Sequence, residues 1–320
     1  MSKTIVVTDW DFPDLSVEQS VVADTDVTLV SAQAETPSEV IDAAEGADGL
    51  LVQYAPVTEE VLEALGVDAV GRYGIGVDNV DVDAATARGV YVLNVPDYCL
   101  DEVPTHALSL LLACARRVAQ YDHEVKSGTW DWTSGRPIDR VAGSTLGLVG
   151  FGKLPRRLVD LVSGFEFEVL VYDPYVDAEE IEAAGAEKVS FGALLERSRF
   201  VSVHAPLTDE TRGLFDADAF ERMRDDAVLV NTARGGLVDV DALVTAVDEG
   251  HIAGAGIDVL PEEPPEPTPP LDHPNIVYTP HVAWYSEQSS TEMRRRVTED
   301  VLGVVTGDAP TNPVNDPSGD

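Results

Sequence analysis

Lysine is nearly missing from this 320-residue chain: Lys3, Lys126, Lys153 and Lys188 are the only ones. Lysine and arginine together number 21 against 58 acids, a formal net charge of −37. A surface of that sign repels a phosphate backbone, which excludes nucleic-acid binding through a basic face. The acid is spread along the chain rather than gathered in a tail, and hydrophobic residues make up 44%. Disorder therefore does not explain it. A surface suited to molar salt does, because screening there is nearly complete and self-repulsion costs little. Cysteine is scarce as well. Cys99 and Cys114 are the only two, too few to argue a disulfide framework or a metal cluster. Cys114 sits in LSLLLACARR (108–117), where a buried free thiol is expected. No apolar run reaches the length of a membrane span. MSKTIVVTDW opens polar and then strand-like, unlike a signal peptide. A cytoplasmic protein without membrane contact is the expectation.

What the chain does have is alternation. Apolar, β-rich runs stand at TIVVTDW (4–10), VTLVSA (27–32), GLLVQY (49–54), AVGRYG (69–74) and VYVLNV (90–95), with helical patterns between them. Parallel strands covered by helices follow from that order, an α/β class. A single long helix is predicted over 102–126, from the helical period of Val103, Ala107, Leu108, Leu111, Leu112 and Ala115. After a polar loop, GTWDWTSGRPIDR, a second series begins: TLGLVG (145–150), EVLVYD (168–173), FVSVHA (200–205), AVLVNT (227–232), AGAGIDV (253–259) and NIVYTP (275–280). These runs are continuously apolar, as central strands buried on both faces require. A last helix is predicted over 286–306, and the tail after it reads as loose.

One turn and three residues carry chemistry. Gly150 and Gly152, in TLGLVGFGKLP, stand after a strand and before a helix. Glycines there allow a tight turn and close backbone approach to a pyrophosphate, with Lys153 and Leu154 opening the helix. The usual third glycine is Pro155, which the first turn of a helix accepts. Asp173 ends the next strand, about 20 residues on, where an acid would bind the adenosine ribose hydroxyls and disfavour a 2′-phosphate. The competing reading of Asp173 is a strand-end residue opening a turn before Pro174. NAD is thus the expected cofactor, with NADP possible. Downstream come Arg234 in NTARGGLVD, Glu263 in DVLPEEPP and His281 in TPHVAWYSEQ. Arginine holds a planar carboxylate through two parallel hydrogen bonds. Histidine moves a hydroxyl proton near neutral pH, and a carboxylate orients it. No metal site is expected.

RYGIGVDNVDVDAATARGVYVLNVP (72–96), LLLACARR, TLGLVGFGK, YDPY, HAPLTDETRGL (204–214), NTARGGLVD, GIDVLPEEPP and TPHVAWYSEQ appear in this order. The set resembles the D-isomer-specific 2-hydroxyacid dehydrogenases over nearly the whole chain. HVAWYSEQ with NTARGGLVD is most similar to the branch of the C-terminal binding proteins and phosphoglycerate dehydrogenases, and the charge balance points to a haloarchaeal source. The resemblance implies two Rossmann-like domains with parallel sheets. A substrate-side domain of residues 1–100 and 286–320 is expected, interrupted by an inserted nucleotide domain of residues 101–285. It implies hydride transfer between NAD(H) and a D-2-hydroxy acid or 2-oxo acid, and a homodimer. Arg234 would hold the substrate carboxylate and C2 oxygen, Glu263 would contact and orient the histidine, and His281 would be the acid/base. Placement directly before proline selects Glu263 over Glu262. Asp258 would accept the nicotinamide carboxamide. Thr232, Ala233, His204 and Pro206 would line the cofactor. Backbone groups of Ile75 and Gly76 would meet the substrate carboxylate, with Tyr54, Arg72 and Trp284 shaping the pocket. A D-3-phosphoglycerate dehydrogenase is the alternative, although the chain stops soon after the last helix, without room for a regulatory domain. A non-catalytic NAD(H)-sensing protein, like the corepressors of the same branch, is the other.

Overall fold

The short apolar runs become parallel strands, and the chain sorts them into two units, Met1–Tyr98 with Ser286–Asp320, and Cys99–Tyr285. The computed structural model describes residues 2–265 and 273–317; part of the proline-rich stretch after Glu263, and the last three residues, lie outside it.

The first unit runs β1 (Lys3–Val7), α1 (Ser16–Val22), β2 (Val27–Ser31), α2 (Pro37–Ala43), β3 (Gly49–Val52), α3 (Glu59–Leu65), β4 (Ala69–Arg72), α4 (Val82–Ala87) and β5 (Tyr91–Leu93). Its sheet order is β2-β1-β3-β4-β5, parallel throughout. Every residue of β3 is buried, whereas β2, at the edge, is mostly not. Parallel strands need crossover helices, and the helices here are started by short polar caps. Thr36 and Glu39 form a reciprocal capping box on α2, and Thr58 caps α3.

The second unit holds α5 (Glu102–Ala115), α6 (Val118–Lys126), β6 (Thr145–Val149), α7 (Lys153–Leu161), β7 (Glu168–Tyr172), α8 (Ala178–Ala183), β8 (Glu187–Lys188), α9 (Phe191–Arg197) and β9 (Phe200–Val203). It continues through α10 (Ala217–Arg222), β10 (Val228–Asn231), α11 (Val240–Asp248), β11 (Gly254–Ile257) and β12 (Ile276–Tyr278). The sheet order is β12-β11-β10-β9-β6-β7-β8. Strand order reverses between β6 and β9, and in such sheets the crevice outside that point is where ligands bind. The chain then returns to the first unit in α12 (Glu287–Thr306). Gly71 lets α12 lie flush on the first sheet: a Cβ there would come within 2.5 Å of a Val301 methyl. Arg294 of α12 and Glu18 of α1 form a buried ion pair, 2.6 and 2.8 Å, with the guanidinium over the Phe12 ring.

Two expectations need correction, and one strand is not foreseen. The helix predicted over 102–126 is two helices. Arg117 adopts φ +54 between them, and its guanidinium bonds the Asn275 side chain, a tertiary contact that outweighs the local helical pattern. The tail is not loose through residue 315. Val314 N–H donates to Val92 O at 2.7 Å, Asn315 accepts from Val92 N–H at 2.8 Å, and Pro313 bridges Leu93. The two-residue strand β8 goes unforeseen. Pro104 and Pro155 both fall third in their helices, α5 and α7, where a missing N–H breaks no intrahelical bond.

Candidate active site

Strands β10, β11 and β12 each deliver one of the three expected residues on the loop that follows. Asn231, fully buried at the end of β10, shapes the first loop. Its amide donates to Arg234 O at 2.9 Å, and its side-chain oxygen accepts from Ala233 N–H at 3.0 Å. The next residue, Gly235, has no space for a side chain, because a Cβ would fall 1.9 Å from the Leu260 carbonyl carbon. The Arg234 loop and the Leu260–Glu263 loop are therefore in backbone contact. Glu263 closes its own loop by accepting from Leu260 N–H at 2.8 Å, and its other oxygen lies 2.6 Å from His281 Nδ1. The Glu263 and His281 side chains are 34% and 32% exposed, so the pair is reachable but partly desolvated. Burial works against the charge of Glu263. The hydrogen bond and charge of His281, with the Leu260 N–H, nonetheless hold its carboxyl below the usual value. A carboxylate at Nδ1 leaves Nε2 as the nitrogen that can exchange a proton with substrate.

His281 is held in an uncommon backbone conformation, φ +51. Left-handed backbone at a non-glycine residue is sparsely populated and survives where neighbouring bonds over-determine it. They do so here. His281 N–H donates to Asp258 O at 2.7 Å and to Thr279 O at 3.1 Å. Asp258, expected at the nicotinamide carboxamide, is buried beneath this turn. Its carboxylate accepts from the Thr279 hydroxyl at 2.5 Å and from Val282 and Ala283 N–H at 3.0 and 2.9 Å. Desolvation opposes its charge, but His106, Thr279 and the two N–H groups keep its carboxyl below the usual range. Asp258 builds the turn that presents His281. Asn231, Thr279 and His106 are the residues sequence reading misses. Of these only Asn231, directly before the Arg234 turn, carries a local signal, since asparagine favours turns.

The glycine turn lies at the switch point. Gly150 has φ +91, and a Cβ on it would press at 3.0 Å on the backbone of His204 and Ala205, at the end of β9. A Cβ on Gly152 would meet nothing within 4 Å, so this glycine leaves room that internal packing does not use. It precedes α7, whose N-terminus has no side-chain cap, with Lys153 and Leu154 as its first two residues. Uncapped N–H groups there suit an anion such as a pyrophosphate. Asp173 stands at the end of β7 and accepts from Phe151, Tyr175 and Val176 N–H at 2.8, 2.8 and 3.2 Å. Three of a carboxylate's roughly four acceptor sites are thereby used, leaving capacity for one ribose hydroxyl. Thr232 is buried, and its hydroxyl has no hydrogen-bond partner among the described residues. An orphaned hydroxyl beside Arg234 suits a bound polar group. These features fit NAD: open space at Gly152, uncapped N–H groups, an acid at ribose distance in sequence and an orphaned Thr232. The His204 ring bonds Ser202 at 2.9 Å, and burial lowers it to about 4, so it is neutral. Ala233 is half-buried and Pro206 exposed on neighbouring loops, and Trp284 packs edge-on against Tyr285 at 5.5 Å.

Tyr54, Arg72, Ile75 and Gly76 belong to the other unit, Tyr54 on the loop after β3, Arg72 at the end of β4 and Ile75–Gly76 on the loop after it. Asp9 shapes the first loop, its carboxylate accepting from Gln53, Tyr54 and Ala55 N–H at 3.0, 2.5 and 3.0 Å. Tyr54 is left 54% exposed. The Arg72 guanidinium lies across Gly74, where a Cβ would collide with it, and Asn94 donates to Ile75 O at 2.6 Å. Among the described residues no cluster of His, Cys, Asp or Glu could hold a metal ion, and no helix is long and apolar enough to cross a membrane.

Residues 108–283 match the NAD binding domain of the D-isomer specific 2-hydroxyacid dehydrogenases. The chain is 39% identical over 264 residues to the D-3-phosphoglycerate dehydrogenase of Archaeoglobus fulgidus, covering 82% of this chain and 50% of that one. It is 39% identical over 265 residues to the glyoxylate reductase of Korarchaeum cryptofilum, covering 81% and 80%. Thus it spans about half the length of the phosphoglycerate dehydrogenases it matches. Among solved structures, the TT0316 protein of Thermus thermophilus superposes with a TM-score of 0.89 at 31% identity, covering 98% of this chain and all of that one. With its two parallel α/β sheets, its glycine turn at the switch point and this degree of likeness, the chain belongs to the D-isomer-specific 2-hydroxyacid dehydrogenase family, and carries that family's NAD-binding domain.

Proposed function

We propose that the chain is an NAD(H)-dependent D-2-hydroxyacid dehydrogenase, or 2-oxoacid reductase in the other direction. The observation that carries the reading is the 2.6 Å contact of His281 Nδ1 with Glu263, on a loop abutting that of Arg234. When bound, the nicotinamide supplies or accepts the hydride at substrate C2. Arg234 binds the substrate carboxylate and the C2 oxygen. His281 gives its Nε2 proton to that oxygen during reduction and takes it back during oxidation. Glu263 fixes the ring's tautomer and stabilises the imidazolium. Gly150 and Gly152 admit the pyrophosphate to the backbone, and Thr232 and Ala233 face the cofactor. Trp284 is assigned to the substrate.

The relatives named D-3-phosphoglycerate dehydrogenase favour a second reading, in which the substrate carries a phosphate. Both are tested by one panel in molar KCl: pyruvate, phenylpyruvate, 2-oxoisocaproate, glyoxylate, hydroxypyruvate and 3-phosphohydroxypyruvate, each with NADH and NADPH. Highest kcat/KM on 3-phosphohydroxypyruvate selects the second reading. NADH binding without turnover of any acid would leave a nucleotide-sensing protein instead. Asp173 is expected to make NADH the better cofactor, since a 2′-phosphate would meet its carboxylate. Repeating the comparison across KCl concentrations checks the cause: a charge-based preference narrows as salt rises.

A homodimer is the assembly this reading carries. Val118 and Val125 on α6, with Trp130 and Trp132 on the loop after it, are 55%, 48%, 90% and 72% exposed. Exposed apolar groups gathered so closely mark an interaction surface, and a second copy is the partner proposed. Sedimentation in molar KCl is expected to show a dimer that Trp130→Ser with Trp132→Ser weakens. An unchanged dimer would place the interface elsewhere.

A further inference from the structure

Helix α5 presents a histidine to the turn behind the proposed acid/base. His106 Nε2 lies 3.0 Å from the Thr279 hydroxyl and 3.4 Å from Asp258 Oδ1. Thr279 Oγ1 lies 2.5 Å from that same carboxylate oxygen. The polarity of this chain follows from what each group can donate. An ionised carboxylate only accepts, so the single Thr279 proton goes to Asp258. The Thr279 oxygen then has only lone pairs left to offer. His106 must therefore bring an N–H at Nε2. At the other end, Asp258 accepts from Val282 and Ala283 N–H through its side chain and from His281 N–H through its carbonyl. Those bonds sustain the φ of +51 at His281.

Resting on the dehydrogenase reading above, we propose that His106 is a positioning residue whose Nε2–H fixes the direction of the Thr279 hydroxyl and thereby the turn that presents His281. Without that N–H nothing on α5 anchors the Thr279 oxygen, and Asp258 Oδ1 loses the imidazole N–H 3.4 Å away. The strained turn then loses one of the bonds that hold it. The shift reaches His281 through two residues and no substrate contact, so it shows in turnover rather than in cofactor affinity.

The test compares His106→Leu, which has no donor, with His106→Gln, whose amide N–H has a similar reach. The probe is the best 2-oxo acid of the panel, with NADH. His106→Leu is expected to lose kcat by about 10²-fold, the scale of a misplacement near 1 Å, with KM for NADH close to wild type. His106→Gln is expected to recover most of kcat. Wild-type kcat in His106→Leu overturns the proposal, and so do equal losses in both variants. His281→Ala runs alongside. If it keeps full turnover, the dehydrogenase site itself is misassigned; if it is inactive beside a fully active His106→Leu, only the positioning role falls. Should His106→Leu not fold, the wild-type protein still answers. Long-range 1H–15N correlation of the His106 ring is expected to show the Nε2–H tautomer, and the Nδ1–H tautomer overturns the proposal.

Discussion

His281→Ala is expected to lower kcat by about 10²–10⁴-fold, the usual contribution of a positioned acid/base. The KM for NADH is expected to change little, because the imidazole contributes to proton transfer and not to the nucleotide. Arg234→Ala is expected to lower kcat and raise the KM of the oxo acid together, since a carboxylate clamp acts in both the ground and the transition state. Arg234→Lys is expected to restore only part of this, because an ammonium cannot reproduce the planar two-bond fork. Glu263→Gln leaves a side chain of the same shape at 2.6 Å from Nδ1 but removes the charge that favours the imidazolium. Its loss is expected to fall below that of His281→Ala. Single-turnover reduction followed by NADH absorbance separates chemistry from product release. Wild-type rates in His281→Ala or Arg234→Ala would end the assignment of this loop cluster.

The second large effect is on stability. Even with all 21 cations paired, 37 of the 58 acids have no counter-charge in the chain. Several exposed arginines are indeed paired, such as Arg197 with Glu187 and Glu168, and Arg295 with Glu299. Exposed pairs of this kind are each worth only about 0–1 kcal/mol, so they do not offset the excess. The Debye length is about 30 Å at 0.01 M salt and about 3 Å at 1 M. Repulsion therefore acts across a whole unit in dilute buffer and only between neighbours in molar KCl. Tm and the dimer fraction are expected to rise steeply from 0.1 M toward molar KCl, with activity following. Screening also weakens the surface pairs, but the unpaired acids are more numerous and their term dominates. A flat Tm across this range, with full activity after dialysis into dilute buffer, would assign the acidity to another task such as docking a basic partner.

Much of the fold is legible in the sequence because buried parallel strands are apolar on both faces and announce themselves as unbroken runs. The strands at 145–149, 200–203 and 228–231 follow this rule closely. What is not legible depends on residues distant in sequence. Nothing near Arg117 in sequence marks a helix break; its guanidinium bonds Asn275, 158 residues further on. Nothing in the tail marks Asn315 as a partner for the β5 backbone. At the site, Arg234, Glu263 and His281 stand out in the sequence because their residue types suit one chemistry, and the structure brings Glu263 and His281 to 2.6 Å. The buried partners of Asp258 are not legible, because Thr279 and His106 come from the loop after β12 and from α5.

The paired tail has a consequence for how the protein behaves among copies of itself. A parallel sheet ends in strands whose outward N–H and C=O groups can recruit any extended chain. On the β5 side that row is filled by residues 312–315, through Val92, Leu93 and Asn94. Cutting the chain after Gly307 would bare this edge while leaving α12 and the whole second unit intact. The shortened protein is then expected to polymerise edge to edge at concentrations where the full chain stays dispersed. In molar salt, where charge repulsion no longer keeps molecules apart, the segment from 312 to 315 is what stands between that edge and its neighbours.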